Sequence, residues 1–410
     1  MTSIISNPRN IFKIFGPHKA LLKLPKSIWV LFGAVLVNRI GTMVLPFLTL
    51  YLNRQKGLTL KEAGVVFSTY GLAAIFVAPI AGGVSDRFGA IRVMCLSLGL
   101  SALMMFLYPL ANSMPLIILC TVLLACFNEV FRPIIFTLAS EMAPPEHQRQ
   151  SVVLIRLGAN LGMSIGPALG GWLATHSFNS IFFVDGVTTF LAGLFLFIFF
   201  YKNSQIEASH LKGYGDSSDR GTVLHNLVTS LKDKTFRTFL LGVVILSLVF
   251  FQQECTWPLI LVKYLQLSPL VYGKLFTLNT LIIVLLEIPL VARFGHHSSR
   301  KLFAIGALLT SVGVCGVSWV SGAASVYMLA VLFTFGEMLV FPIGTSFVAS
   351  IAPAGKKGAY MGTYTTSFNV SLVLAPLIGT FLLDNYGTHV FSIVLFFVGI
   401  VSALIFRTVR

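Results

Sequence analysis

Apolar runs of roughly 18 to 25 residues recur along the chain, each long enough to cross a bilayer as an α-helix. Short polar connections break them. The pattern predicts twelve spans, at 28–52, 61–84, 90–111, 115–139, 149–175, 180–201, 237–263, 268–292, 299–320, 324–350, 357–383 and 388–407. Several connections barely turn the chain around, such as Asn112 to Met114 and Ser321 to Ala323. One long polar segment, Lys202 to Lys234, contains GYGDSSDRG, a composition suited to a flexible linker. It divides the chain into a six-helix bundle at 28–201, a linker at 202–236 and a second six-helix bundle at 237–410, behind a basic tail at 1–27.

The two halves echo each other. Pro133 and Pro342, Ala143 and Ala352, Pro144 and Pro353, Pro167 and Pro376, and Gly170 and Gly379 all stand 209 residues apart. Glu129 and Glu337 come within one position of the same register. One matched proline would mean little; a set at one spacing points to an internal duplication. The sequence therefore predicts an all-α polytopic membrane protein built as two pseudo-symmetric bundles.

Composition sharpens this. Hydrophobic residues make up 56% of the chain and charged residues only 10%, against about 25% in soluble domains. A net charge of +15 is compatible with a nucleic-acid partner, but the basic residues gather in the tail, the linker and alternate connections. The other side keeps few, among them Arg54, Lys56, Lys61, Lys263 and Lys274. That asymmetry reports orientation, with both termini cytoplasmic and no polyanionic partner. The five cysteines lie in apolar spans without metal-ligand spacing, and His296 and His297 form a lone loop pair. No phosphate-cradling loop with its lysine and no nucleophile–base arrangement stands out, so neither a metal, a cofactor nor an enzymatic activity is expected. The tail lacks the short apolar core of a cleavable signal and should lie at the membrane surface.

Gly82 to Gly89 (GGVSDRFG) with Arg92, between spans two and three, resembles the signature loop of the major facilitator superfamily. Ala292 to Gly295 is a weaker echo between spans eight and nine. Gly162, Gly166, Pro167, Gly170 and Gly171 in span five resemble the antiporter motif of the twelve-helix drug–proton exporters in that superfamily. The loop departs from the family pattern at Ala90 and Ile91, and span four lacks an early arginine that many drug exporters have. The resemblance implies the major facilitator fold, with spans one, four, seven and ten lining a central cavity. It also implies that Asp86 meets the start of span eleven near Lys357 and, with Arg87 and Arg92, latches the cytoplasmic side shut.

The cavity-lining spans hold Asn38 and Arg39, then Asn128, Glu129 and Arg132, then Gln253 and Glu254, then Glu337. Charges at membrane depth are costly and normally face a bundle interior or water. Helix counting puts Arg39, Glu129 and Glu337 near the midplane and Glu254 nearer the outer face. Glu337 has no basic residue nearby on its own helix, so it is the first candidate for exchanging a proton, and Glu129 the second. Arg39 and Glu129 are as readily a structural ion pair. Arg156 and Glu287 lie toward the cytoplasmic side, either as gate residues or simply reaching the interface. Asp185, opening span six, reads as structural.

The resulting expectation is a proton-coupled secondary transporter of a bacterial cytoplasmic membrane, a monomer in lipid, exporting small amphipathic molecules against protons by alternating access. The alternatives are a proton-coupled importer of a peptide-like or other zwitterionic solute, and a receptor or scaffold that does not transport.

Overall fold

In the computed structural model the described residues are 24–201, 230–294, 298–353 and 356–409. Residues 1–23 of the expected tail, residues 202–229 of the expected linker, and His296 and His297 lie outside them. Eleven helices among the described residues are long and apolar enough to cross a membrane. The last covers two spans, because Lys357–Thr408 (α14) is broken at Gly387, whose φ of 76° and ψ of −178° are not helical. Gly387 falls between the two expected spans, where a positive φ is open to glycine without steric cost.

The first span is Lys26–Gly41 (α1) followed by Val44–Arg54 (α2), interrupted at Thr42 and Met43. Leu60–Phe88 (α3), Ala90–Leu107 (α4), Met114–Glu141 (α5), Gln148–His176 (α6) and Phe178–Tyr201 (α7) complete the first half. The second half opens with Lys234–Phe250 (α8), and its first span then breaks up. Gln252–Cys255 (α9), Trp257–Leu259 (α10) and a π-turn at Ile260–Tyr264 finish it. Pro258, which has no N–H to donate, lies within that irregular stretch. Pro269–Phe294 (α11), Ser299–Cys315 (α12), Gly322–Ile351 (α13) and α14 follow. Helix starts carry recognisable caps: Thr59 and Glu62 form a reciprocal capping box on α3, and Asp233 accepts from Thr235 N and Phe236 N on α8.

The core is divided unevenly, and this fixes the shape. One cluster joins both halves, from Met43, Phe47, Tyr51 and Phe67 to Trp257, Tyr272, Phe333 and Phe391. Two others stay within one half each: Leu24, Ile28, Phe131, Leu138 and Phe200 in the first, Phe236, Phe303, Val348 and Phe406 in the second. Leu24 and Phe406 mark the end of the bundle that holds the chain termini, here the terminal face. The halves are thus fused toward the opposite face and packed separately toward the terminal face.

The helices that cross between halves show the same gradient. On α3, a Cβ at Gly64 would meet the Pro376 carbonyl at 3.0 Å, and one at Gly71 would meet Leu372 backbone at 3.1 Å. Ser68 Oγ donates to the Val373 carbonyl at 2.8 Å between them. Further along, Gly83, Gly358 and Gly362 have nothing within 4 Å of that position. At the opposite face Arg54 donates to the Val262 carbonyl at 3.2 Å and Lys61 to Asn385 Oδ1 at 3.0 Å, tying the halves again. The halves therefore part toward the terminal face. On the outside, Phe76, Leu96, Leu110, Phe183 and Phe397 are exposed apolar side chains, as a lipid-facing surface requires.

Candidate functional site

Glu129 on α5 and Glu337 on α13 occupy matching frames. Tyr70 on α3 donates its hydroxyl to Glu129 Oε1 at 2.7 Å, and Asn128 Nδ2 donates to that hydroxyl at 2.9 Å. In the other half, Asn279 on α11 donates to Glu337 Oε2 at 2.8 Å and lies 3.0 Å from Thr334 Oγ1. Tyr70 and Asn279 stand 209 residues apart, the spacing of the internal duplication. Each carboxylate is therefore held by a neutral donor from the second helix of its own half. Both carboxylates are half-buried rather than sealed.

Their surroundings differ in sign. Arg39 feels the charges of Arg132 and Glu129 together with Asp185, so both signs meet around the first-half carboxylate. Glu254 on α9 also lies in the field of Arg132 and Glu129, so it belongs electrostatically to the same group. The α8–α9 interruption breaks the helix along which its depth is counted. The charged groups acting on Glu337 are Glu287 and Glu254, both acidic. Arg39 and Glu129 act on each other through space, while the hydrogen bond that Glu129 accepts comes from Tyr70.

The interruption of the first span has a cause far away in sequence. Asp185 on α7 is 3% exposed, and its Oδ2 accepts from Met43 N at 3.1 Å and Val44 N at 3.0 Å. It caps α2, satisfying two donors that a helix start leaves without intrahelical partners. Thr189 extends the network, accepting from Asn38 Nδ2 at 3.3 Å and donating to Asp185 Oδ1 at 3.4 Å. Asp185 is structural, as expected, but at the start of a neighbouring helix rather than its own. Asn38 is buried in this network.

The span-five glycines pack against the same interruption. A Cβ at Gly162 would collide with Arg39, one at Gly166 would lie 2.8 Å from the Arg39 and Ile40 carbonyls, and one at Gly170 would lie 2.9 Å from Met43 Cβ. Gly171 instead faces α11, 2.7 Å from the Pro269 carbonyl, and the Pro167 carbonyl fills the place of a side chain at Gly273. One glycine set thus seats the broken helix that carries Arg39, while its neighbours join the two halves.

Arg132 is exposed and Gln253 half-buried. Gln252 is fully buried, donating to the Leu248 and Ala375 carbonyls at 2.9 Å, which makes it a bracket for α8 and α14. Arg156 on α6 and Glu287 on α11 act on each other across the halves. Arg87 is exposed with its guanidinium 5.3 Å from the centre of the Phe88 ring, and Arg92 is exposed. The side chains of Asp86 and Lys357 lie outside the described ones. Among the described residues no group of three or more His, Cys, Asp or Glu could hold a metal ion. Sequence reasoning missed Tyr70 and Asn279, although their common spacing was present to be read.

The family model described as Major Facilitator Superfamily matches residues 30–254 and 243–410. The chain is 26% identical over 380 residues to an uncharacterized MFS-type transporter, YqjV of Bacillus subtilis (strain 168), covering 90% of each protein. It is 22% identical over 362 residues to the quinolone resistance protein NorA of Staphylococcus aureus (strain MSSA476), covering 88% of this chain and 90% of that one. The fold superposes on a crystal structure of the peptide transporter POT in complex with sulfate with a TM-score of 0.76, at 16% identity, over 93% of this chain and 94% of that one. The matches to the family model span nearly the whole chain, and the protein is a multi-pass membrane transporter of the Major Facilitator Superfamily.

Proposed function

We propose that the protein is a proton-coupled exporter of small amphipathic molecules, its halves 28–201 and 237–410 rocking about the midplane group. The observation that carries this reading is the field around Glu337. A neutral amide holds it, and the nearest charges acting on it are acidic. A carboxylate so placed gains nothing from a cation when ionised, so a proton and a cationic or polar solute compete for it. Glu129, balanced by Arg39 and Arg132, is the second coupling candidate. Asn38, Asn128, Gln253 and Glu254 complete the cavity wall, with Asn38 acting through Thr189.

The positive-inside bias supports a cytoplasmic terminal face, and bacterial relatives support a bacterial inner membrane. The separate cores on that face then correspond to an inward-open form. Closing it would bring Arg156 and Glu287 together, and Asp86, Arg87 and Arg92 toward the start of α14, while Gly162, Gly166, Pro167, Gly170 and Gly171 keep the opposite face shut. The similarity to a quinolone resistance protein favours amphipathic, drug-like cargo.

Everted membrane vesicles test this, with a fluorescent amphipathic cation as probe. An acid lumen should drive the probe into the lumen, and Glu337→Gln should abolish that gradient dependence. If an acid lumen instead empties the vesicles of solute, the coupling is that of an importer. If Glu337→Gln leaves the gradient dependence intact, the assignment of the proton to this residue fails.

A further inference from the structure

A cavity of about 400 Å³ opens where the start of α12 meets the end of α14, away from the Glu129 and Glu337 group. Arg300, Lys301 and Arg407 line its mouth, and Ala304, Ile305 and Leu308 form its wall. All three cations are exposed, and none of their charged groups makes a hydrogen bond or ion pair with another described residue. Ile305 and Leu308 are 49% and 39% exposed. Lys301, Ala304 or Ile305, and Leu308 follow one face of α12, so the wall descends about 10 Å below the charges at 1.5 Å per residue.

We propose that this cavity binds one anionic phospholipid, with the phosphodiester among Arg300, Lys301 and Arg407 and an acyl chain along Ile305 and Leu308. Three cations converging from two helices over an apolar wall present, in order of depth, what such a lipid carries. A soluble anion would use the charges and leave the wall bare. A zwitterionic lipid would bring its own cation into a group already positive.

General enrichment of basic residues on one membrane face does not account for the arrangement. At the duplication spacing, the first half has Ile91, Arg92 and Ile198 in the places of Arg300, Lys301 and Arg407. Ile91 is buried in its half's own core, Arg92 has a partner within the chain, and Ile198 is an exposed apolar residue. At these three positions the cationic set is found in the second half and not in the first. It borders α12 and the second arm of α14, helices that pack against the α8 and α13 segments nearest the terminal face. A lipid seated there would brace the second half as the halves move.

Native mass spectrometry of the purified full-length protein, supplied with phosphatidylglycerol or phosphatidylcholine, tests the site. One phosphatidylglycerol should remain bound under activation that strips phosphatidylcholine. The triple variant Arg300→Gln, Lys301→Gln, Arg407→Gln should lower the bound fraction by at least about tenfold. Ile305→Trp, which fills the wall and leaves the charges alone, should also lower it. Circular dichroism melting checks that each variant folds; should the triple variant fail, Arg407→Gln alone with Ile305→Trp decides. Equal retention of both lipids, or unchanged binding in the folded charge variant, overturns the proposal. Displacement by inorganic phosphate together with indifference to Ile305→Trp would make this an anion site and overturn it too.

Discussion

The two halves build the same carboxylate frame and place it in opposite fields. Glu129 accepts from Tyr70, and Glu337 accepts from Asn279, each donor arriving from the second helix of its half. Around Glu129 stand Arg39 and Arg132; around Glu337 stand Glu254 and Glu287. Coulomb interactions fall only as the inverse of distance, so charged neighbours act on each carboxylate alongside its hydrogen-bond donor. The shared 209-residue spacing accompanies the common geometry, and the charged neighbours set the field in which each acid sits.

The largest expected effect tests that division directly. Glu337→Gln keeps a side chain that Asn279 can reach and removes the exchangeable charge, so proton-driven flux should fall by about a hundredfold or more while melting changes little, as loss of a charge-dependent step rather than of packing. Glu129→Gln should behave in the opposite way. It removes the acidic charge that acts on Arg39, so it should lower the melting temperature, at a cost of about 1–3 kcal/mol for a half-buried polar group that loses a partner. Vesicle flux and scanning fluorimetry on both variants check this. Interchanged results would break the comparison.

The next effect bears on how Arg39 is held in place. Gly166→Leu puts a branched side chain where the Arg39 and Ile40 carbonyls lie 2.8 Å from a Cβ. Overpacking of this kind costs about 1–3 kcal/mol or more, here against backbone that cannot step aside. Gly83→Ala, with nothing within 4 Å, should be neutral or slightly stabilising. Thermal melting of the two variants gives the contrast, and a tolerated Gly166→Leu would show that α1 can shift away from α6.

The spans, the duplication and the inward-facing carboxylates were all legible in the sequence. Hydrophobic periodicity and proline spacing are properties of a single strand of text, and lipid imposes them strongly. The span-five glycines were legible as a close-packing face for the same reason, though not that Arg39 is what they seat. Asp185 as the cap of α2 was not legible, because Met43 and Val44 lie more than 140 residues away and nothing local marks that pairing. That Glu254 acts together with Arg132 and Glu129 was not legible either, because helix counting assumes an unbroken helix and its span is interrupted after Phe250.

Asp185→Asn sharpens the same point with a smaller change. The amide can still accept from Met43 N and Val44 N, but without the charge that strengthens both bonds. A loss of about 1–2 kcal/mol is expected, and more for Asp185→Ala, which leaves both donors bare. Fluorimetric melting of the two variants should rank them in that order, and equal melting would mean that the interruption at Thr42 and Met43 is held by packing alone.

The smallest effects come from the donors themselves, and their inequality is the finest test of the two-field reading. Asn279→Ala removes the amide that holds Glu337, whose charged neighbours are all acidic, so nothing nearby replaces it. At about 1 kcal/mol for such a bond, proton-driven flux should drop roughly fivefold. Tyr70→Phe removes an equally short bond to Glu129, yet Arg39 and Arg132 continue to balance that carboxylate. Its flux should fall by less than about twofold, within the range of a replaceable hydrogen bond. If the two donors prove equal in side-by-side flux measurements, the surrounding charges do not set the roles of the two acids, and the hydrogen-bond frame does.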